Sequence, residues 1–248
     1  MTDEPRAIFF DMDGTLLDWQ AGMEESWLAA CEAGCPDLAA DITASALYDA
    51  VREKRDWFWA HPVHRIEGRM DLDRASRIIV TEAVTALGID APDVAAAIAA
   101  DYRARRDKQI VLYPGALDVL EHYRARGIKM ALITNGNAIS QRRSVERFGL
   151  ARYFDCVIIE GEFGAGKPDQ RVFLHALDSC GVEPAKTWMV GDNLEADIAM
   201  PVQLGMHAVW VDEAGVGVPA GVAHAPHRTI RAIRDLIVGA SDGATITT

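Results

Sequence analysis

The chain has 248 residues, half of them hydrophobic, and a formal net charge of −12. This length can bury a substantial core, as one large domain or as a domain that carries an insertion. The acidic balance argues against nucleic acid or an anionic membrane as the main partner, because both attract clustered Lys and Arg. A small ligand remains compatible with it.

The sequence also predicts a cytoplasmic protein. It contains no run of about 18 apolar residues, and its first residues lack the cationic start and apolar core of a signal peptide. The cysteines are too sparse for a disulfide framework, so we interpret them as reduced packing residues. They are Cys31, Cys35, Cys156 and Cys180.

The first motif is an apolar run at residues 7–10 that ends in Asp11 and Asp13. The run predicts a strand covered on both faces, and parallel sheets bind ligands just beyond the carboxyl ends of such strands. Two neighbouring carboxylates favour different protonation states, so one can act as a nucleophile while the other protonates a leaving group. A calcium loop fits poorly, because its Gly stands sixth whereas Gly14 stands fourth.

Short apolar runs recur along the chain and alternate with segments of helical periodicity. The predicted strands are residues 7–10, 130–133, 156–159, 187–190 and 208–211, and the predicted helices include 116–126, 138–148 and 171–179. Pro201 predicts a kink or an early stop in a further helical segment. This alternation predicts an α/β fold with a doubly wound, Rossmann-like parallel sheet core.

The strand signal vanishes between residue 18 and about residue 114, where helical spacing dominates. We therefore predict a helical cap domain at 18–111, inserted into a core formed by 1–17 and 112–248. Residues 51–77 carry seven Lys or Arg against five acids. This basic face suits an anionic substrate, with His64, Arg65 and Arg69 as candidate contacts to the leaving group. Alternatively, the neighbouring Trp57 and Phe58 are core residues and the arginines form a solvated face.

A second strand ends in the polar residues Thr134 and Asn135, followed by Gly136. The hydroxyl and the amide can donate hydrogen bonds to phosphoryl oxygens. Asn-Gly is also a hairpin signal, but residues 138–148 have helical rather than strand character, which favours a binding site.

Residues 161–167 have the spacing of a phosphate-binding P-loop, yet Pro168 follows where such a loop needs Ser or Thr. Pro168 also removes a backbone donor, and Glu162 would bring negative charge toward the phosphates. We therefore interpret Lys167 alone, as a cation that neutralises carboxylates and a transferring phosphoryl group.

Asp192 ends another predicted strand, and Asp197 follows five residues later. Mg²⁺ prefers one or two carboxylates, retained waters and phosphate oxygens, so Asp11, Asp192 and the Asp13 carbonyl could hold it. Asp197 would then orient Lys167 or a bound water. Alternatively, Asp197 complements the dipole of a helix N-terminus.

Four segments together resemble the haloacid dehalogenase superfamily in its characteristic order. They are Asp11-Met-Asp-Gly-Thr15, Thr134, Lys167-Pro168, and Gly191-Asp192 with Asp197. The resemblance covers residues 7 to about 211, and the insertion is similar to that family's helical type-one cap. The run 191–197 is similar to the branch that contains acylneuraminate phosphatases and pyrimidine nucleotidases.

The resemblance implies a Mg²⁺-dependent phosphatase that acts on a small phosphorylated metabolite. In such enzymes Asp11 would attack phosphorus, Asp13 would protonate the leaving oxygen and then activate water, and Thr134 and Lys167 would hold the phosphoryl oxygens. The implied substrate-binding residues of the core are Gly14, Thr15, Asn135 and Gly136. The implied metal ligands are Asp11, Asp13, Asp192 and Asp197.

Two other functions remain open from the sequence. A phosphomutase would use the same residues but pass the phosphoryl group to a sugar phosphate. A receiver-type signalling module would keep a persistent phosphoaspartate. Asp13 and a cap large enough to enclose a substrate favour the hydrolase. The sequence does not predict an oligomeric state.

Overall fold

The computed structural model describes residues 4–38 and 41–238. The chain divides into two compact units, one formed by Met1–Asp18 together with Val111–Thr248 and the other by Trp19–Ile110. We call them the sheet unit and the helical unit. Among the described residues, no helix combines the length and apolar character needed to cross a membrane.

The sheet unit is built on a six-stranded parallel sheet. Its strands are β1 (Ala7–Phe10), β4 (Lys129–Thr134), β5 (Cys156–Ile159), β6 (Thr187–Gly191), β7 (His207–Val211) and β8 (Arg228–Ile230). Their order is β5-β4-β1-β6-β7-β8. Every residue of β1 is buried, as expected of a central strand covered on both faces. A separate antiparallel pair joins β2 (Leu17–Asp18) to β3 (Val111–Leu112).

The helical unit contains, in its described part, five helices. They are α1 (Met23–Gly34), α2 (Ala44–Ala60), α3 (Pro62–Met70), α4 (Leu72–Ala86) and α5 (Pro92–Gln109). Trp27 stacks on Tyr102 with ring centroids 3.4 Å apart. A side chain at Gly34 would overlap Ile98, so this glycine lets α1 and α5 pack closely. The unit therefore has a hydrophobic core of its own.

Helices of the sheet unit follow the ends of its strands. They are α6 (Ala116–Ala125), α7 (Ala138–Arg147), α8 (Glu160–Phe163), α9 (Gln170–Cys180), α10 (Met200–Gln203) and α11 (Asp235–Val238). Asn137 caps α7 by accepting hydrogen bonds from the N–H groups of Ile139 and Ser140. Asp169 caps α9 in the same way, through the N–H of Arg171. These caps fix the residues at which α7 and α9 begin.

The predicted α/β fold is confirmed, and all five predicted strands form. The sequence missed β8, a three-residue edge strand that begins with Arg228, and it missed the short β2–β3 pair. The expectation that residues 18 to about 114 contain no strand was therefore wrong at both ends, because two-residue strands give no periodicity. Pro201 lies in the first turn of α10, directly after a π-helical turn at Leu194–Ala199.

Candidate active site

The turn after β1 places Asp11 at the carboxyl edge of the sheet. The Asp11 N–H donates to the Val190 carbonyl on β6, and the carbonyl of Met12 accepts hydrogen bonds from the N–H groups of Leu16 and Leu17. Gly14 has a φ of 89°, and a side chain there would also overlap the Asp192 carboxylate. Glycine is therefore required at this position by both backbone conformation and space.

Lys167 joins two of the acids from distant parts of the chain. Its ammonium lies 2.5 Å from Asp11 Oδ1 and 2.6 Å from Asp197 Oδ1, and all three residues are buried. Asp197 Oδ2 accepts a hydrogen bond from the N–H of Asn193. A side chain at Gly191 would overlap the Asp197 carboxylate, so this glycine permits the close approach. The sheet thus brings Asp11, Lys167 and Asp197 into one ionic cluster.

The cluster carries more negative charge than Lys167 can balance. Burial raises the pKa of Asp11 well above its usual value, and Asp197 and Asp192 add to this rise while Lys167 opposes it. Burial alone would lower the pKa of Lys167, but Asp11 and Asp197 outweigh it and hold that pKa above its usual value. Lys167 is therefore an ammonium ion, and further positive charge would be needed to keep every carboxylate ionised.

Asp192 completes an acidic group that fits a hard divalent cation. Oxygen atoms of Asp11, Asp192 and Asp197 all lie within 4.8 Å of one another. Asp11 Oδ2 is buried and has no hydrogen-bond partner in the part of the chain that the structure describes. Although Asp192 is the exposed member, loss of hydration and the charge of Asp197 raise its pKa to about 7. Carboxylate oxygens that are short of positive charge are suitable ligands for Mg²⁺.

Trp210 holds the backbone of Asp192 in place. Its indole Nε1 donates a hydrogen bond of 2.7 Å to the Asp192 carbonyl. Trp210 lies on β7, the neighbour of the strand that Asp192 follows. The sequence analysis did not single out this residue, because an aromatic residue in an apolar strand gives only a core signal.

The residues at the end of β4 contact the Lys167 segment. Thr134 is buried, with its hydroxyl 3.5 Å from the Asn135 carbonyl oxygen. The Asn135 side chain accepts from the Lys167 N–H and donates to the Lys167 carbonyl, both at 2.7 Å. The Gly136 N–H donates to Glu160 Oε2 at 2.8 Å. The Asn135 amide therefore has partners other than the phosphoryl oxygens that the sequence suggested.

Asp13 has a partner that the sequence analysis missed. Gln141, in α7, donates from Nε2 to Asp13 Oδ2 and to the Asn135 carbonyl, both at 2.7 Å. Gln141 is buried, as is Val145 one turn later. A glutamine that shares a helix face with a core valine is the signal that could have identified it.

Thr15 follows Gly14 and lies beside a cavity rather than in the ionic cluster. It is fully buried, and its hydroxyl has no hydrogen-bond partner among the described residues. It lines a cavity of about 160 Å³ together with Tyr113, Val211 and Ile233.

The residues that the sequence suggested for substrate selection lie on α3 of the helical unit. The His64 ring stacks on Phe58 with centroids 4.8 Å apart, and its Nδ1 is buried without a hydrogen-bond partner in the described chain. Arg65 is exposed and Arg69 is half-buried. Phe58 is a core residue, whereas Trp57 is 47% exposed. The core interpretation of this aromatic pair thus holds for Phe58 and is wrong for Trp57.

Comparison of the sequence with known proteins identifies the family of this chain. The profile of the family described as haloacid dehalogenase-like hydrolase matches residues 5–205. N-acylneuraminate-9-phosphatase from Rattus norvegicus is 28% identical over 232 residues, which cover 93% of this chain and 92% of that protein. Phosphoserine phosphatase from Thermus thermophilus is 45% identical over 123 residues, so the chain spans about half the length of that relative (49% of each protein).

A protein of known crystal structure has a similar fold. The putative HAD-hydrolase YfnB from Bacillus subtilis, whose crystal structure is bound to magnesium, superposes with a TM-score of 0.72 at 21% identity. The match covers 96% of this chain and all of that one. This likeness shows the shared fold, while the family profile covers most of the sequence, from residue 5 to residue 205. The chain therefore belongs to the haloacid dehalogenase-like hydrolase family.

Proposed function

We propose that the protein is a magnesium-dependent phosphatase that hydrolyses a small phosphate monoester through a phosphorylated Asp11. The family and the phosphatases among its relatives support a phosphatase with a small phosphorylated substrate. The role of Asp11 as nucleophile rests on the different surroundings of its two carboxylate oxygens. Oδ1 is paired with Lys167, whereas Oδ2 is buried and has no partner in the described chain, as expected of an atom reserved for reaction.

The first step forms a bond between Asp11 Oδ2 and phosphorus and breaks the bond between phosphorus and the ester oxygen. Asp13 gives its proton to that departing oxygen. The Lys167 ammonium and the Thr134 hydroxyl donate hydrogen bonds to the phosphoryl oxygens, where negative charge is spread in the transition state. Asp13 then takes a proton from the water that attacks phosphorus, which releases phosphate and restores Asp11.

Asp11, Asp192 and Asp197 are the candidate residues to hold Mg²⁺, with the Asp13 carbonyl as a further candidate ligand. When bound, Mg²⁺ would supply the positive charge that lets Asp11 stay ionised beside an anionic substrate. Both oxygens of Asp197 already have protein partners, Lys167 and Asn193. We therefore assign Asp197 chiefly to holding Lys167, and Asp192 together with Asp11 Oδ1 to the metal, so that Asp11 Oδ2 remains for the attack on phosphorus.

Other predicted binding residues act through their neighbours in this proposal. Asn135 fixes the Lys167 peptide, and Gly14 makes room for Asp192. Gly136 binds Glu160, which steadies the turn after β4. The Thr15 N–H donates to the Met12 carbonyl at 3.4 Å and so helps to close the turn that contains Asp13. These residues would shape the phosphate site without touching the phosphoryl group.

Substrate choice, in this proposal, depends on the helical unit. Arg65 offers an exposed guanidinium, and His64 offers an imidazole nitrogen that no described residue satisfies. Arg69 lies one turn beyond Arg65 on the same helix. Such groups suit recognition of a polar or anionic leaving group.

The test is a screen for phosphate release from sugar, nucleotide and short organic-acid phosphates, with and without Mg²⁺. We expect release from a subset of esters, dependence on Mg²⁺, and loss of release in Asp11→Asn with the fold intact. Isomerised sugar phosphate without free phosphate would instead indicate a phosphomutase. A stable phosphoprotein that releases no phosphate would indicate a signalling module.

A further inference from the structure

Gln141 is buried at the site, where it hydrogen-bonds to Asp13 and Asn135. Its Nε2 donates hydrogen bonds of 2.7 Å to Asp13 Oδ2 and to the Asn135 carbonyl. Asp13 lies 128 residues earlier in the chain, so this contact is made by the fold and not by local sequence. Nucleophilic attack by Asp11 and proton transfer by Asp13 do not in themselves require an amide at residue 141. The presence of Gln141 at this position therefore needs an explanation.

The donor character of Gln141 is fixed by its two partners. A carboxylate oxygen and a peptide carbonyl are both acceptors, and the amide NH₂ is the part of the Gln side chain that can donate to both. The Asn135 carbonyl accepts in every protonation state of the site. It therefore holds the NH₂ group in the orientation that directs its second hydrogen toward Asp13.

This arrangement makes the two oxygens of Asp13 unequal. Oδ2 faces a donor, so it serves as an acceptor, and a proton on Oδ2 would compete with the amide hydrogen for the same space. The proton of the neutral acid is therefore favoured on Oδ1. A general acid works best when the transferable proton already points at the departing oxygen.

We propose that Gln141 is a positioning residue that keeps the transferable proton of Asp13 on Oδ1. This inference rests on the proposed phosphatase function. In the first step the Oδ1–H bond breaks and the proton passes to the ester oxygen, which leaves Oδ1 anionic. In the second step the same oxygen accepts a proton from the attacking water, while Oδ2 keeps its hydrogen bond to Gln141 throughout.

Gln141 also connects the acid to the Lys167 segment. It binds the backbone of Asn135, whose side chain holds the Lys167 peptide at both its N–H and its carbonyl. The acid that protonates the leaving group and the cation that pairs with Asp11 are thus held by one continuous set of hydrogen bonds. Their relative position would depend on an amide at residue 141.

The test compares Gln141→Met with the wild-type protein on two aryl esters, phenyl phosphate and 4-nitrophenyl phosphate, in the presence of Mg²⁺. Methionine has a similar length but no donor. The nitrophenolate departs readily without a proton, whereas phenolate needs one. We expect kcat/KM to fall by about 30-fold for phenyl phosphate and by less than about 3-fold for 4-nitrophenyl phosphate, a selective loss of part of the 10²–10⁴-fold effect of acid catalysis.

A second variant, Gln141→Glu, keeps the shape and replaces the donor by an acid. We expect the same selective loss, because a carboxylate at this position cannot donate a hydrogen bond to Asp13 Oδ2. Gln203→Met serves as the matched control, because Gln203 is exposed at the end of α10. It should leave both rates unchanged.

Circular dichroism establishes which of the two Gln141 variants folds, and the ester comparison is made on each folded one. Equal losses on both esters, or no loss on either, would overturn the role of Gln141. A wild-type protein that releases phosphate from neither these esters nor the metabolite screen would overturn the phosphatase proposal instead. The two failures are therefore distinguishable.

Discussion

The ionic cluster of the sheet unit and Arg65 of the helical unit are held in opposite ways. At the carboxyl edge of the sheet, Asp11, Lys167 and Asp197 are buried and fixed by contacts of 2.5–2.6 Å. On α3 of the helical unit, Arg65 is exposed. Chemistry needs charges that are desolvated and already in place, whereas recognition can use side chains that adjust to a ligand. Substitutions in the sheet unit should therefore affect kcat strongly, and those on α3 should affect KM and substrate choice.

The largest expected effect is that of Lys167→Met. It removes the positive charge from between two buried carboxylates, so we expect kcat to fall by at least about 10³-fold. The free energy of unfolding should fall by about 3–5 kcal/mol, as when one partner of a buried ion pair is lost. Phosphate release and urea denaturation measure the two effects.

Lys129→Met is the matched control for this substitution. Lys129 forms an ion pair with Asp155 at 2.8 Å, but both side chains are partly exposed. Exposed pairs of this kind contribute little, so activity and stability should remain close to wild type. If Lys167→Met resembled this control, the buried cluster would not be the reactive centre.

The second-largest expected effect is stabilisation of the folded protein by Mg²⁺, and its size should depend on pH. Because the pKa of Asp192 is raised from 3.8 to about 7, ionising it costs more in the folded chain than in the unfolded one. The contribution of Asp192 to the stability of the metal-free protein should therefore be fully present in acid, below 3.8, and should be lost as the pH rises through about 7. In the proposed enzyme Mg²⁺ would bind the ionised carboxylates, so its stabilising effect should grow over the same range.

Thermal unfolding with and without Mg²⁺, at about pH 5 and at about pH 8, tests this dependence. The increase in Tm caused by Mg²⁺ should be larger at the higher pH and should disappear in Asp192→Asn. An increase of equal size at both values would mean that Mg²⁺ binds elsewhere.

The smallest effect should come from Arg65→Ala. We expect KM for the preferred ester to rise by about tenfold, as for the loss of one charged hydrogen bond, with kcat within about twofold. Stability should change by less than about 0.5 kcal/mol, because Arg65 is an exposed surface residue. Steady-state kinetics over the ester screen measures the change.

Arg52→Ala supplies the comparison for Arg65, since it removes a guanidinium from α2 that forms an exposed pair with Asp49. It should leave the substrate profile as it is. If Arg65→Ala and His64→Ala also left the substrate profile unchanged, substrate selection would not depend on α3.

The sequence predicted which acidic residues meet at the sheet edge better than the contacts that hold them. Asp11 and Asp192 each follow a buried parallel strand, and strand order alone brings such residues to one edge of a sheet. Gln141 and Trp210 were missed, because their roles depend on the direction of one side chain on an ordinary helix or strand. The Asn135 contact with Lys167 was missed for the same reason, as it requires two loops to meet after folding.

Short elements were also beyond the reach of sequence patterns. Strand β8 has three residues, and β2 and β3 have two each, so none of them shows a hydrophobic period. Their pairing is set by the larger sheet and by the return of the chain at residues 111–112. Tertiary packing, rather than local sequence propensity, therefore determines where these three short strands form.

Capture of the covalent intermediate tests the central claim most directly. A single turnover with the preferred ester, quenched in acid and analysed by peptide mass spectrometry, should place the phosphoryl group on Asp11. With 4-nitrophenyl phosphate, whose leaving group needs no proton, Asp13→Asn should accumulate more of this species, because the variant lacks the base that activates water. A phosphoryl group on another residue, or phosphate release with no modified Asp11 at any quench time, would contradict the account.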